Sequence, residues 1–581
     1  MSELRKILKA ADVEGNLLDA IYEQPSSSKE LRLDLSNELS SLHNDGTIDV
    51  IATFNTLTNK PNKHDFFLTR HILEAALPKI NADVLSVMKC VLHLTAEAGQ
   101  DMAAGTLFAP YIEFCTNDPL RPKEALAIIE DNVEELADML SPSLVAGARH
   151  DEKHYVEQAI RLAIKSDSEL KIRAIFALGK IQYSTKSALI TDSTNTITQI
   201  TDSAIDDRLL GASVRAAFDI YQQDNTQDTQ VTSIISIALT KGGEYSLHAA
   251  SEILGFNTKI VSRLLLPVLL EHLVKVNPEH KGTLDNIDYG LTYLLSQESV
   301  DDGVTFLEHL LTSNNGAISL DAFNSCKNEL YRNNNKLLDK LTTRWLAGGK
   351  TPLCRALSKI IKCGHETNIQ LKVDPTELDC KDLTHLVFIA RKAIGYLFFY
   401  PATASGLILS LLSHAEDKKT RTALADHIYD PLLLNYPGQV KECFDNLIND
   451  NKDKFIITAT KYATALFDGY ISNLKIADKL TEHLPPLSNR ETYRKYFSQE
   501  MSDSMKEAEK QSVFLSIVKK SVLLYGRKSI TYVGYPNAPA NRMETPLNSF
   551  STSMEIPRLQ AIDPVGLDHM LRVFRYEEIR K

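Results

Sequence analysis

One short pattern occurs three times in the middle of the chain, and it constrains the fold more than any other feature. The run from Asp167 to Ile181 (DSELKIRAIFALGKI) opens on an acid and sets aliphatic residues at helical spacing, with small residues at Ala174, Ala177 and Gly179. About 40 residues later, Asp207 to Tyr221 (DRLLGASVRAAFDIY) keeps the acid, Leu210 and Ala217 in register and puts Asp219 where the first copy has Gly179. A third copy, Glu244 to Gly255 (EYSLHAASEILG), aligns Ile253-Leu254-Gly255 about 36 residues further on. Asp167 is placed to cap a helix. Ala174 and Ala177 let a neighbouring helix approach, and Gly179 can end or relax its own. A unit of this size cannot bury its apolar stripe alone, so successive units must stack.

The pattern resembles the HEAT repeat, in which an acid opens a helix, an aliphatic–basic pair follows and Ala-Leu-Gly comes near the end. Leu170-Lys171 stand where that family usually has Val-Arg. The resemblance is carried by residues 167–181 and extends to about 255. It implies an all-α, HEAT/armadillo-like helical-repeat solenoid, which is a fold and not an activity.

Helical periodicity continues on both sides. Ser28 to Leu42, a pair broken around Pro78, Lys123 to Leu140, Leu264 to Val276 and Lys336 to Leu346 all read as helices. The chain has 581 residues, enough for one long array, and its 43% apolar content excludes global disorder. A 7% aromatic share, with Trp345 the one tryptophan, is thin for a large all-β protein. The expected organisation is an N-terminal helical region over 1–150, a HEAT-like solenoid over 151–483, and a distinct segment over 484–581. That last segment reads as a long helix from Arg490 to Leu524, a small β-hairpin and a helix near Gly566 to Arg580. Ile530 and Tyr532 suit one strand. Phe550, Thr552, Met554 and Ile556 alternate with polar residues and suit the other, across a loop rich in Pro, Asn and Ala.

A net charge of -11 argues against a surface that tracks nucleic acid throughout. Seven scattered cysteines fit reduced thiols in a cytoplasmic protein, and the charged N-terminal stretch lacks the layout of a secretory signal. Ala393 to Ala415 has no charged residue, yet Tyr400-Pro401 interrupts it, so it reads as the end of one buried helix and the start of another. No membrane partner is expected.

Few constellations carry chemistry. His150 and His154 are four apart, but a zinc-protease motif needs Glu where Asp151 stands, so the pair reads as a solvated helix start. Cys354, Cys363, His365, Cys380 and His385 are the densest group of zinc-type ligands. Structural zinc sites pair their ligands tightly twice, and Cys363-Gly364-His365 is the single tight pair. His150, His154, Cys363 and His365 are therefore the metal candidates, and no metal is assigned. Gly348-Gly349-Lys350-Thr351 resembles the end of a phosphate loop, but Arg344 occupies the position of its first glycine, and helix C-capping accounts for the pair. His365-Glu366 is the one His-Glu pair, and Gly-x-Ser-x-Gly does not occur. Catalytic residues and cofactors are accordingly read as none.

The basic residues Arg490, Arg494, Lys495, Lys519, Lys520, Arg527 and Lys528 concentrate near the C-terminus, interleaved with Tyr493, Tyr496 and Phe497. They are candidate contacts for phosphates or for a protein partner. The expected function is a non-enzymatic protein-binding scaffold or adaptor using the solenoid surface and the hairpin between Lys528 and Leu559. The alternative is a nucleic-acid-binding protein using the basic 490–528 segment.

Overall fold

The computed structural model describes residues 3–23, 29–60, 65–99, 101, 103–165, 168–184, 188–296, 300–332, 335–363, 369–378, 383–450, 453–480, 486–511, 528–533, 541–546 and 555–579. Contacts divide the chain into two compact units, Met1–Glu329 and Leu330–Lys581.

The first unit begins α1 (Glu3–Glu14), α2 (Leu17–Glu23), α3 (Lys29–Asn44), α4 (Val50–Phe54), α5 (Phe66–Ala76), α6 (Val84–Ala98), α7 (Phe108–Thr116) and α8 (Leu120–Asp131). It continues with α9 (Val133–Leu136), α10 (Leu140–Ala148), α11 (Glu152–Lys165), α12 (Ser168–Lys180), α13 (Ala188–Ser203), α14 (Asp207–Gln223) and α15 (Asp228–Lys241). Then come α16 (Glu244–Asn257), α17 (Leu265–Leu273), α18 (Lys281–Ser296), α19 (Val300–Thr312) and α20 (Asn324–Arg332), within which the units divide. Two rows run through the unit. Helices α10, α12, α14, α16 and α18 pack each on the next, and α11, α13, α15 and α17 form the second row beside them. At the start of the unit α1, α3 and α5 repeat the first row, and α2, α4, α6 and α8 the second. The stacking inferred from residues 167–255 thus reaches back to α1 and on to α18.

Local chemistry explains both where helices start and how neighbours keep register. Asp49, Asp65, Asp83 and Asp206 accept main-chain N–H groups at the starts of α4, α5, α6 and α14. Asp167 lies outside the described residues. Asp207, aligned by its sequence with the helix-opening acids, stands one residue inside α14, and its carboxylate reaches the next repeat. It accepts from the main-chain N–H of Gly243 at 2.6 Å and Tyr245 at 2.8 Å, and from the Ser246 hydroxyl at 2.7 Å. One repeat therefore caps the helix of the following one. Asp288 of α18 does the same for α20, accepting from the N–H groups of Ser325 and Cys326 at 2.8 Å each.

Gly179 also differs from expectation. It is buried at the last residue but one of α12, without the positive φ of a helix-ending glycine, and a Cβ there would stand 2.6 Å from Cα of Ala216 in α14. Its role is close helix approach. The helix expected over Lys123 to Leu140 is broken at Asn132, whose backbone (φ -134°, ψ 56°) leaves the helical region between α8 and α9.

The second unit contains α21 (Asn335–Gly348), α22 (Thr351–Cys363), α23 (Leu383–Leu397), α24 (Pro401–Leu411), α25 (Lys418–His427), α26 (Pro437–Asp450), α27 (Lys454–Ala477) and α28 (Leu487–Gln511). It ends with β1 (Lys528–Val533), β2 (Asn541–Pro546), α29 (Arg558–Ile562) and α30 (Pro564–Tyr576). Again two rows form: α21, α23, α25 and α27 pack in sequence, with α24 on α26 alongside. Pro401 opens α24 and separates it from α23, so the uncharged stretch is two buried helices. Among the described residues no helix is long and apolar enough to cross a membrane. Gly349 closes α21 with φ +62°, its N–H donating to Trp345 O at 3.0 Å.

The hairpin is present, with a different second strand. β1 pairs antiparallel with β2, Lys528 opposite Pro546 and Val533 opposite Asn541. The alternation at Phe550, Thr552 and Met554 lies outside the described residues, and Glu555 turns away to the helical rows. The pair is stabilised by the backbone ladder and by Lys528 Nζ with Glu544 at 2.7 Å, while Ile530 and Met543 remain exposed. A polar strand of this kind is invisible to a search for alternating apolar residues.

Candidate protein-binding face

Among the described residues of the second unit, a dense set of contacts forms the seat of the segment Glu555 to Ile579. Helix α23 supplies Arg391, Lys392, Gly395 and Tyr396, one face at helical spacing. Lys392 is 1% exposed, and its Nζ donates to the carbonyl oxygen of Arg575 at 2.6 Å, at the last turn of α30. Burial pulls this ammonium below the usual lysine range, and the nearby Cys354, Glu577 and Glu578 act against that. A cation at a helix C-terminus meets unsatisfied carbonyls, which is the favourable end for it. In return, Arg575 Nε donates to Gly395 O at 2.5 Å, and a Cβ on Gly395 would stand 3.1 Å from the Arg575 nitrogen. Small size at position 395 is what admits the segment.

Further anchors hold the rest. The Glu555 carboxylate accepts the N–H groups of Gly438 and Gln439 at 2.8 and 3.0 Å, capping α26 from a distant part of the chain. Asn435, buried between rows, accepts the Leu559 N–H at 2.7 Å, and Arg558 lies over the Tyr470 ring at 4.8 Å. Leu567 and Leu571 bury the apolar stripe of α30, Phe574 meets the edge of His427 at 5.9 Å, and Arg391 pairs with Glu577 at 2.8 Å. Burial, then the adjacent Arg391, holds the His427 imidazole below its usual pKa.

The residues singled out by sequence fall elsewhere. His150 precedes α11 and His154 lies within it; both are exposed, and Asp151 caps the helix by accepting His154 N–H at 3.0 Å. Cys354 is buried, its thiol bonded to Trp345 O at 3.1 Å and pushed up to about 12 by burial. Cys363 ends α22, His385 bonds Ala347 O at 3.1 Å, and His365 and Cys380 lie outside the described residues. Among the described residues no three His, Cys, Asp or Glu side chains converge on a metal position.

Arg490, Arg494 and Lys495 are exposed on α28, and Lys528 opens β1; Lys519, Lys520 and Arg527 lie outside the described residues. Within α28, five basic residues (Arg490, Arg494, Lys495, Lys506, Lys510) are balanced by five acids (Glu491, Glu500, Asp503, Glu507, Glu509). Lys392, Gly395, Asn435 and Glu555 carry no mark of this role in the sequence. No spacing pattern links them, since their partners are more than a hundred residues away along the chain.

No family model matches this chain, and no curated protein matches it. Among solved structures it is similar to an engineered protein from a structural genomics consortium, at 13% identity over 80% of this chain and 98% of that one, with a TM-score of 0.17. It is also similar to a circular tandem repeat protein described as having novel repeat topology and enhanced subunit contact surfaces. That match has 13% identity over 82% of this chain and 96% of that one, with a TM-score of 0.14. Helical-repeat architecture is accordingly read from the two-row packing of the chain itself.

Proposed function

We propose that this chain is a protein-binding scaffold, and that the face of α23, α25 and α26 is its receptor for a helical peptide segment. The observation that carries this reading is the manner in which Glu555 to Ile579 is held. Its main chain is recognised at Leu559 N and Arg575 O, and an apolar helix stripe fills the space between. This is helix-in-groove recognition, in which i, i+4 anchors supply affinity. The chain's own segment occupies the face, and a partner helix of similar pattern competes with it. The exposed hairpin supplies a second docking element. A protein partner is preferred to nucleic acid because the charges of α28 cancel.

The test uses full-length chain carrying Leu567→Asp and Leu571→Asp, which removes the apolar stripe of the resident helix. A labelled peptide spanning residues 555–579 should bind this variant in trans and bind the wild type far more weakly. Equal failure in both proteins refutes the reading.

A further inference from the structure

Beside the same segment lies a cavity of about 450 Å3, which shares Tyr396 and Arg575 with the seat and is otherwise lined by residues that play no part in it. Thr351, Arg355 and Ser358 line it from α22, Tyr396 from α23, and Arg572 and Arg575 from α30. The α22 residues recur at i, i+4 and i+7 and so share one helix face; Arg572 and Arg575, three apart, share one face of α30.

Its charge is lopsided. Three guanidinium groups meet one carboxylate, Asp568, which pairs with Arg572 at 2.9 Å. Arg575 commits its Nε to Gly395 O, which leaves its two terminal amino groups as donors. Arg355 is exposed along the α22 wall. The Ser358 and Tyr396 hydroxyls donate to the carbonyl oxygens of Arg355 at 2.8 Å and Arg575 at 3.4 Å, so the guanidinium groups are the donors that face the cavity. Planar, permanently charged forks match the tetrahedral oxygens of a phosphate group bidentately, which lysines do not. Like charges also face one another across the α22–α30 seam, so an anion between them removes repulsion that otherwise opposes docking. The volume exceeds one phosphate group and lies within the range of small-molecule sites.

We propose that this cavity binds a small organic phosphate, and that the bound phosphate clamps α30 against α22 and so holds the C-terminal segment on its face. The pocket stands on its own geometry; the clamp rests on the proposed reading of that segment as a displaceable occupant.

The experiment uses full-length protein at constant ionic strength, with inorganic phosphate, pyrophosphate, glycerol 3-phosphate and adenosine monophosphate as probes and chloride as the control. Thermal unfolding should shift upward saturably with the organic phosphates, as required of a ligand that binds the folded state. Inorganic phosphate should bind more weakly, and tighter binding of the free ion would overturn the assignment to an organic ligand. Arg355→Gln and Arg572→Gln, each shown by circular dichroism to be folded, should each weaken binding by about tenfold or more. Organic-phosphate binding undiminished in both variants, or no saturable binding to the wild type, overturns the pocket. Amide exchange over 564–576 then reads the clamp: slower exchange with ligand supports it, and unchanged exchange despite binding overturns it. Because peptide binding in trans is a separate measurement, a functioning pocket with a failed peptide assay would sink the receptor reading alone.

Discussion

Lys392 and Arg575 are 183 residues apart in sequence, yet the buried ammonium of the first donates to the main-chain carbonyl of the second at 2.6 Å. Because the bond is made to backbone, it reads the end of a helix and not the identity of residue 575. Arg391 with Glu577, 186 residues apart, and Arg575 with Gly395, 180 apart, join the same two stretches of chain.

Replacing Lys392 by Met keeps the length of the side chain and removes the donor, leaving the Arg575 carbonyl without its charged partner. Loss of a hydrogen bond to a charged group costs about 1–3 kcal/mol. Removing a buried charge returns part of that. The effect should therefore appear as faster amide exchange over 564–576, with exchange in α12 to α18 unchanged. If α30 stays fully protected in Lys392→Met, the bond is dispensable.

His427 makes the seat of the segment sensitive to pH. Arg391 Nε donates to His427 Nε2 at 3.2 Å, an arrangement open to the neutral ring alone. Burial first, and Arg391 second, lower its pKa from 6.5, while Asp426 and Glu577 act in the opposite direction. Between the folded and unfolded values the unfolded chain binds more protons, so stability rises with pH there. The contribution is complete above about pH 6.5 and is lost as pH falls below it. A His427→Gln variant should show a flatter melting temperature between about pH 7.5 and about pH 5.5 than the wild type. Parallel slopes would remove His427 from the account.

Asp207 ties two repeats of the first unit, and its acid response has the opposite origin. Burial pushes the carboxyl up, but the N–H groups and hydroxyl of Gly243, Tyr245 and Ser246 together outweigh it and hold the pKa below 3.8. A depressed carboxyl stabilises the fold above its unfolded pKa, and that increment is lost as pH drops through the folded value. Asp207→Ala should destabilise the first unit by about 1–2 kcal/mol at neutral pH, the scale of a lost helix cap. Urea unfolding at neutral pH and near pH 3 measures both effects. The difference between variant and wild type should shrink at the lower pH.

These contacts show what was legible in the sequence and what was not. The repeat could be read between 167 and 255 because small residues there mark close helix approach, as Gly179 against Ala216 does. Elsewhere the same period is carried by single polar side chains bonded to backbone. Asn44 accepts from Asn81 N–H at 2.7 Å, and Asn117 donates to Pro78 O at 2.6 Å. Asparagines at 44, 81 and 117 were a signal of the period, but one residue in about 37 is faint against the background of any chain. Proline and glycine punctuation was legible, as at Pro401 and Gly349, because it acts locally. The seat of the C-terminal segment was not. Its anchors on Glu555 and Arg575 are tertiary, and no local propensity encodes a partner so far away.

Gly179 and Gly469 offer a last prediction in which the same substitution has opposite signs. Gly469 lies well inside α27 and Gly179 is the last residue but one of α12; Ala is preferred to Gly by about 1 kcal/mol in a helix interior and by less at its end. At Gly469, which is exposed, a new Cβ meets nothing within 4 Å, so Gly469→Ala should stabilise the second unit by about 0.5–1 kcal/mol. At Gly179 the Cβ would sit 2.6 Å from the Ala216 Cα. That neighbour is backbone in a packed helix and cannot swing aside, so α12 and α14 must separate, at a cost of about 1–3 kcal/mol. Overpacking exceeds propensity, and Gly179→Ala should be destabilising on balance. Denaturant midpoints of the two variants, compared with wild type in the full-length chain, should move in opposite directions. A stabilised Gly179→Ala would mean that the two helices can part freely, and that close approach at this glycine is not what sets the repeat spacing.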